Sequence, residues 1–198
     1  MGQTMLDSDA IHGSISEPAA FALIFDRHFG VIHSYACRRV GKSTAEEIAS
    51  QTFLVAFDRR ATYDASRASA RPWLFGIATN LIHERRRQEE RQFRAYARAA
   101  DVGQGDHLEG AENRADAVRL RPQLAASLVA LPKEEADALL LFALAELSYE
   151  EIADALELPT GTVKSRLYRA RRRIREQLRL PRTSREETPI ANLEVDHG

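Results

Sequence analysis

Basic side chains are concentrated near the C-terminal end of the sequence, where their spacing suits DNA binding. Between residues 158 and 180, eight side chains are Lys or Arg and only Glu176 is acidic. Apolar residues recur between them at the spacing of one helical face, at Val163, Leu167, Ala170, Ile174 and Leu178. A helix with one apolar and one basic side fits the major groove of duplex DNA, where Lys and Arg donate hydrogen bonds to base edges and phosphates. The segment therefore predicts a DNA-reading helix.

The residues just before this helix have the pattern of a helix-turn-helix. Ser148 followed by Glu151 predicts a capping box at the start of a short helix. Pro159 is expected to end that helix. Glu157 departs from the motif because it stands at a turn position that favours Gly, at a cost of up to about 1 kcal/mol if its φ is positive. The alternative is an ordinary helical hairpin with a charged exterior.

A second basic segment lies in the first half of the chain. Residues 59–98 hold ten Arg and only four acidic residues. Within it, residues 64–70 are small and polar and predict a loop, and Pro72 favours the start of the helix that follows. Trp73 lies on the apolar face of that helix, where a core position is favoured over a base-stacking platform.

Helical spacing also precedes this segment. Apolar residues recur at intervals of three and four over residues 21–35, and Gly41 is expected to end that helix. Ser43 or Thr44 is expected to cap the next helix, whose apolar stripe runs over residues 48–56.

The predicted fold is all-α, with two small helical domains joined by a flexible linker. Strand-like alternation is not seen over any useful length. The expected order is a disordered N-terminus (1–17), a first helical domain (18–98), a flexible acidic linker (99–116), a helix-turn-helix domain (117–180) and a disordered tail (181–198).

Composition narrows the class of protein further. The formal net charge is −1 over 198 residues, so the basic segments are balanced by acidic ones. Cys37 is the only cysteine, which excludes an internal disulfide and a zinc site built from paired cysteines. The sequence has no membrane-length apolar run and no secretory signal, so we expect no membrane insertion and a cytoplasmic location.

The sequence does not predict an enzyme. It contains no Gly-x-x-x-x-Gly-Lys-Ser/Thr phosphate loop, no His-Glu-x-x-His and no Rossmann glycine fingerprint. The six histidines do not cluster at metal-ligand spacing. We therefore expect no catalytic residue, no metal and no cofactor.

Three stretches of the first domain, taken with the helix-turn-helix, resemble one protein family. Residues 25–30 (FDRHFG), 45–57 (AEEIASQTFLVAF) and 71–81 (RPWLFGIATNL) resemble bacterial RNA polymerase sigma factors, specifically the extracytoplasmic-function (ECF) group of the sigma-70 family. The resemblance implies sigma domain two over residues 18–98 and sigma domain four over residues 117–180.

The resemblance implies a role for each module in transcription initiation. Domain two would bind the β′ clamp helices of core RNA polymerase through Glu46, Glu47, Gln51 and Thr52. It would also recognise and melt the promoter −10 element through Tyr63, Arg67, Arg71, Asn80, Arg85, Arg86 and Arg87. Domain four would contact the β flap and read the −35 element through Thr162, Lys164, Ser165, Arg166, Tyr168, Arg169, Arg171 and Arg172. Arg169 is the residue expected to contact a guanine edge.

The family also implies partners and control. Its members act as monomers with core polymerase and promoter DNA, and many are held inactive by an anti-sigma factor, which we expect here as well. The competing hypothesis is a LuxR-type helix-turn-helix regulator, because such regulators share Glu-Ile-Ala and Thr-Val-Lys around the turn. That hypothesis requires an N-terminal sensor domain, and residues 18–97 show no parallel-strand pattern typical of one.

Overall fold

The computed structural model describes residues 5–99 and 117–178, with side chains over residues 5–91 and 123–178. Helices occupy most of these ranges: α1 (Asp7–Ser16), α2 (Ala22–Val40), α3 (Lys42–Asp58), α4 (Arg71–Ala99), α5 (Ala117–Val129), α6 (Lys133–Leu144), α7 (Tyr149–Leu156) and α8 (Thr160–Leu178). Short 3-10 turns lie at Pro18–Phe21 and Arg60–Thr62. The described ranges contain no strand, which confirms the all-α prediction. Ala99, the first residue of the expected linker, belongs to α4, whereas the rest of that linker and the expected C-terminal tail fall outside the described residues.

The N-terminal segment is helical where disorder was expected. Helix α1 covers residues 7–16, so the prediction of a disordered 1–17 segment is wrong for these residues. Ala10 and Ile11 are fully buried against the first module. Two buried apolar residues are too weak a periodic signal to predict a helix, because its stability comes from packing against distant parts of the chain.

The first module is built from α2, α3 and α4. Tyr35 is buried at its centre, where its ring meets Phe75 edge to face at 5.2 Å and its hydroxyl lies 3.0 Å from the Thr79 hydroxyl. Gly41 ends α2 with a φ of 80°, as expected. The expected cap at Ser43 or Thr44 is wrong, because α3 begins at Lys42 directly after the glycine.

The second module consists of α5 to α8. Leu141, Leu147, Ile152 and Leu167 are fully buried in its core. Helix α8 packs across α5, α6 and α7 through its apolar stripe, which leaves the opposite side of α8 exposed. Among the residues that the structure describes, no helix is both long and apolar enough to cross a membrane.

The two modules touch where α4 crosses α7. Gly76 lies so close to α7 that a Cβ atom added to it would stand 2.4 Å from the Ala155 carbonyl oxygen. Small residues on facing helices let the two backbones approach in this way. The crossing therefore depends on the absence of a side chain at residue 76.

A buried cluster of charged groups lies at the same contact. The Asp137 carboxylate accepts hydrogen bonds from Arg39 Nη2 and His83 Nε2, each at 3.0 Å. Burial raises the pKa of Asp137, but the hydrogen bonds and charges of His83 and Arg39 outweigh burial and hold the pKa below its usual value. The ionised Asp137 carboxylate therefore stabilises the contact between the modules at a pH above the usual carboxyl pKa. This stabilisation is lost as the pH falls through the lowered pKa of Asp137.

We expect Gly76→Ala to separate the two modules. The added methyl group overlaps the Ala155 carbonyl, and overpacking of this kind typically costs about 1–3 kcal/mol. The first module itself should remain folded, because Ala is a better helix former than Gly. Small-angle X-ray scattering should show a larger radius of gyration than that of the wild-type protein.

Gly30→Ala is the matched control, because Gly30 lies in a helix with nothing within 4 Å of the added atom. It should leave the radius of gyration unchanged. An unchanged radius for Gly76→Ala as well would show that the crossing tolerates a side chain.

Candidate nucleic-acid interface

The helix-turn-helix has the local structure that its sequence indicates. The Ser148 hydroxyl accepts a hydrogen bond from the Glu151 N–H at 3.1 Å, and the Glu151 carboxylate accepts one from the Ser148 N–H at 2.8 Å. These two bonds form the predicted capping box. Glu157 has a φ of 54°, so the turn does place a non-glycine residue in the left-handed region. The next helix begins after Pro159, whose carbonyl accepts from the Thr162 N–H at 2.9 Å.

Helix α8 exposes most of the residues expected to contact DNA. Val163, Leu167 and Ala170 are buried toward the module core. The exposed residues of the expected set are Lys164, Ser165, Tyr168, Arg169 and Arg172. Thr162, Arg166 and Arg171 are half-buried at the edges of this face. The exposed side of α8 therefore combines hydrogen-bond donors with one aromatic ring.

Two arginines of α8 share a buried carboxylate that the sequence analysis missed. Glu135 of α6 is only 6% exposed, and its two oxygens lie 3.3 Å from Arg169 Nε and 3.1 Å from Arg173 Nε. Charge-assisted pairs of this kind limit the orientations of a guanidinium. Glu135 therefore limits the orientations of Arg169, whose side chain is still 46% exposed on α8.

Arg171 is braced by aromatic side chains. Its Nη1 donates to the Tyr149 hydroxyl at 3.4 Å, and its guanidinium lies 4.8 Å from the centre of the Phe142 ring. Arg172 lies 3.6 Å from Glu176 one turn further along the helix. The arginines of α8 thus differ in how firmly the protein orients them.

The predicted loop at residues 64–70 is closed by internal contacts. The Tyr63 hydroxyl donates to the Arg67 carbonyl at 2.9 Å, and its ring packs on Trp73 with centroids 5.0 Å apart. Burial raises the pKa of Tyr63 to about 12, so the hydroxyl stays protonated as a donor. The Asp64 carboxylate accepts from the N–H and hydroxyl of Ser66. Trp73 is half-buried against the core, as its position on the apolar face indicates.

Two residues expected at the −10 element contact the second module. Arg67 Nη2 lies 3.6 Å from the Asp154 carboxylate of α7, and Arg71 Nη2 donates to the Ala145 carbonyl at 2.6 Å. The contact between the modules therefore occupies Arg67 and Arg71, two of the residues expected to bind the −10 element.

Four further residues expected at the −10 element lie along α4, and they do not form one cluster. They are Asn80, Arg85, Arg86 and Arg87. Arg85 pairs with Glu89 at 2.8 Å and with Glu47 of α3 at 3.2 Å. Arg86 donates to the Arg39 carbonyl at 2.8 Å. Asn80 and Arg87 are exposed and line a cleft of about 430 Å³ at the module boundary.

Helix α3 presents three of the four residues expected to bind core polymerase. Glu46, Glu47 and Gln51 are exposed. Thr52 is fully buried, and its hydroxyl donates to the Ile48 carbonyl at 2.7 Å, so its inclusion in this exposed set is wrong. Leu54, which the sequence analysis passed over, is 59% exposed. Its spacing from Glu47 and Gln51 places it on the same face of the helix.

The exposed groups of both modules are suited to binding. In the part of the chain that the structure describes, no group of three or more His, Cys, Asp or Glu side chains could hold a metal ion. Exposed donors on one helix, a closed polar loop and a polar helical face with one apolar residue are features of interaction surfaces.

Comparison with known families assigns both modules. The family described as Sigma-70 region 2 matches residues 24–92, and the family described as Sigma-70, region 4 matches residues 121–174. The first match covers α2, α3 and most of α4, and the second covers the helix-turn-helix.

Curated relatives match over most of their length. A Bacillus subtilis protein, the ECF RNA polymerase sigma factor SigW, is 31% identical over 170 residues that span 81% of this chain and 89% of that protein. The ECF RNA polymerase sigma factor SigL of Mycobacterium tuberculosis is 30% identical over 161 residues, with the same coverage of both chains.

A solved structure shares the fold. The sigma factor RpoE of Bartonella quintana, solved in complex with the anti-sigma factor NepR, superposes with a TM-score of 0.59 at 21% identity. The match covers 82% of this chain and 98% of that one.

We expect Glu157→Gly to stabilise the helix-turn-helix. Glycine adopts a φ of 54° without the steric cost that a side chain pays, so the free energy of unfolding should rise by up to about 1 kcal/mol. Thermal unfolding followed by circular dichroism measures the change.

Ala125→Gly is the contrasting variant, because Ala125 is exposed inside helix α5 of the same module. There glycine should lower the free energy of unfolding by about 1 kcal/mol. A destabilising effect at both positions would contradict the account of the turn.

Proposed function

This chain belongs to the ECF group of the sigma-70 family of RNA polymerase sigma factors, and we propose how its described surfaces perform that function. A sigma factor directs transcription initiation, and the polymerase it joins carries out RNA synthesis. The observation that carries the proposal is the presence, in order on one chain, of a region 2 module and a region 4 helix-turn-helix with an exposed basic face. We propose that it acts as a monomer in the cytoplasm, with core polymerase and promoter DNA as partners.

The LuxR-type alternative is not favoured. Such a regulator would carry a sensor domain where this chain has residues 24–92, and these residues match sigma-70 region 2. They fold as helices without a strand.

Helix α8 is proposed to bind the −35 element in the major groove. Lys164, Ser165 and Tyr168 are exposed on the side away from the module core, where they can reach base edges. Arg169, oriented by Glu135, is proposed to donate to a guanine. Arg172 and the half-buried Arg166 and Arg171 would contact phosphates, which add affinity without sequence information.

The first module is proposed to bind the −10 element as an opened strand. The closed loop at residues 64–70 would receive an unstacked base, since a base must leave the duplex to be bound in a pocket. Tyr63 holds this loop in place through a hydrogen bond to the Arg67 carbonyl and ring packing on Trp73. Basic side chains along the loop and α4 would bind the strand's phosphates.

Helix α3 is proposed to bind the β′ clamp helices of core polymerase. Its exposed face combines two carboxylates, one amide and one apolar side chain, at Glu46, Glu47, Gln51 and Leu54. An exposed apolar residue within a polar rim is the usual composition of a protein-binding surface.

Promoter binding requires the two modules to separate. The −35 and −10 positions are about 25 base pairs apart, which is about 85 Å at 3.4 Å per pair. A compact unit of this size measures only about 40 Å across. The 17 residues from 100 to 116 would extend to about 60 Å if fully stretched, enough to let the modules move apart.

Separation would also release part of the −10 surface. Arg67 and Arg71 would lose their contacts to the second module and become available to DNA. An anti-sigma factor that stabilises the closed arrangement would act as an inhibitor. A second cleft at the module boundary, of about 460 Å³ and lined in part by Arg39, His83 and Asp137, would offer such a partner a mixed polar and apolar surface.

We expect the triple variant Glu46→Ala, Glu47→Ala, Gln51→Ala to bind core polymerase at least about tenfold more weakly. Loss of three central polar contacts commonly has an effect of this size. Size-exclusion co-elution and titration with purified bacterial core polymerase measure it.

A triple alanine variant of Asp9, Glu17 and Asp26 removes exposed acids elsewhere on the first module and serves as the control. It should bind core polymerase as the wild type does. Equal weakening by both variants would point to net charge rather than to the face of α3, and no core binding by the wild type would refute the proposed function.

We expect Arg169→Ala to reduce holoenzyme affinity for its selected promoter by about 10- to 100-fold and to relax preference at one −35 base pair. Arg172→Ala should instead weaken all promoters equally and reduce the salt dependence by about one counterion. Run-off transcription from a random-sequence promoter library identifies the template, and fluorescence anisotropy measures affinity. An unchanged base preference in Arg169→Ala would exclude the guanine contact.

A further inference from the structure

Helix α1 holds both ends of the segment that carries the 64–70 loop. At the start of the segment, Arg60 Nε donates to the Ser14 carbonyl at 3.2 Å. At its end, the Ala70 N–H donates to the Asp7 carboxylate at 2.9 Å. Ala70 is fully buried, so this N–H has no access to water. One helix of ten residues thus fixes the loop at two points in space.

The Asp7 carboxylate is itself held by two side chains of α2. One oxygen accepts from Arg27 Nη1 at 2.9 Å, and the other from His28 Nε2 at 2.7 Å as well as from Ala70. The side chain is only 9% exposed. Burial raises the pKa of Asp7, but the hydrogen bonds from Ala70, Arg27 and His28 outweigh burial and hold it below its usual value. The group is therefore ionised at neutral pH and satisfied from three directions.

These contacts join three elements that are distant in sequence. Asp7 lies in α1, its partners Arg27 and His28 lie in α2, and Ala70 directly precedes α4. Leu74 N–H donates to the Ala70 carbonyl at 3.0 Å, so Ala70 is also part of the first turn that starts α4. The position of Asp7 therefore determines where the loop ends and where α4 begins.

We propose that α1 is a positioning element for promoter melting, and that Asp7 acts as its key residue by holding the 64–70 loop in the shape that receives an unpaired −10 base. The inference rests on the proposed −10 role of that loop and adds a residue outside the matched region 2 segment, which begins at residue 24. Asp7 does not touch DNA in this account. It acts through Ala70, while core binding by α3 and −35 binding by α8 are independent of it.

Asp7→Asn is the direct test, in the full chain assembled with core polymerase. The amide loses the charge that pairs with Arg27 and one of the acceptor oxygens. We expect at least a tenfold loss of affinity for the single-stranded −10 segment of the selected promoter. Affinity for core polymerase and for the −35 duplex should stay within twofold of the wild type.

Asp9→Asn is the matched control, because Asp9 is exposed on the same helix two residues away. It should behave as the wild type in all three assays. Arg60→Met removes the second attachment while keeping an apolar stem over the Phe57 ring, which lies 3.9 Å from the guanidinium. It should also weaken −10 strand binding selectively.

Hydrogen exchange provides a readout at the attachment itself. The Ala70 amide should exchange at least tenfold faster in Asp7→Asn than in Asp9→Asn, while amides in the centres of α3 and α8 keep their wild-type rates. Faster exchange throughout the first module, together with weaker core binding, would mean that α1 supports the whole module and would overturn the proposal.

The remaining outcomes separate this inference from the proposed function. A wild-type holoenzyme that binds the −10 strand no better than a scrambled strand would refute both. A wild-type preference that Asp7→Asn and Arg60→Met both retain would refute the inference alone.

Discussion

The close approach of α4 and α7 at Gly76 determines which surfaces of the two modules are covered and which are exposed to solvent. No side chain fits between residue 76 and the Ala155 carbonyl, so the helices meet backbone to backbone. That approach brings Arg67 and Arg71 against the second module and leaves the exposed faces of α3 and α8 free. The proposed binding to two promoter elements requires the protein to break this contact, which makes the described unit compact.

Buried carboxylates organise the positive charge of the molecule. Asp7, Glu135 and Asp137 are each nearly inaccessible to solvent, and each accepts from cationic side chains of another element. Taking a charge out of water is costly unless it is paired and hydrogen-bonded, so the partners of these carboxylates are held firmly. One carboxylate orients two exposed arginines of α8, one connects the modules, and one fixes the loop before α4. Some basic side chains therefore pair with buried carboxylates, and the others remain exposed.

This division relates the fold to the function of a sigma factor. The proposed guanine contact needs a donor whose direction is set before binding, and Glu135 limits the orientations of Arg169. The proposed capture of a −10 base needs a loop of defined shape, and the contacts of Tyr63, Asp64 and Asp7 hold the 64–70 loop at successive points. The proposed docking on core polymerase needs an exposed helical face, which α3 has because its opposite face is buried in the module core.

The sequence alone determined the features that depend on neighbours along the chain. The capping box at Ser148, the end of α2 at Gly41 and the amphipathic α8 follow from local spacing, and the structure confirms them. The family resemblance rests on sequence motifs, and the family comparisons confirm it. Only the tertiary structure decided the rest, because burial and pairing join residues that are distant in sequence. Helix α1 is stable through contacts to residues 60 and 70, Thr52 is buried because of how α3 packs, and Glu135 finds Arg169 across 34 residues. No periodicity within a short window carries that information.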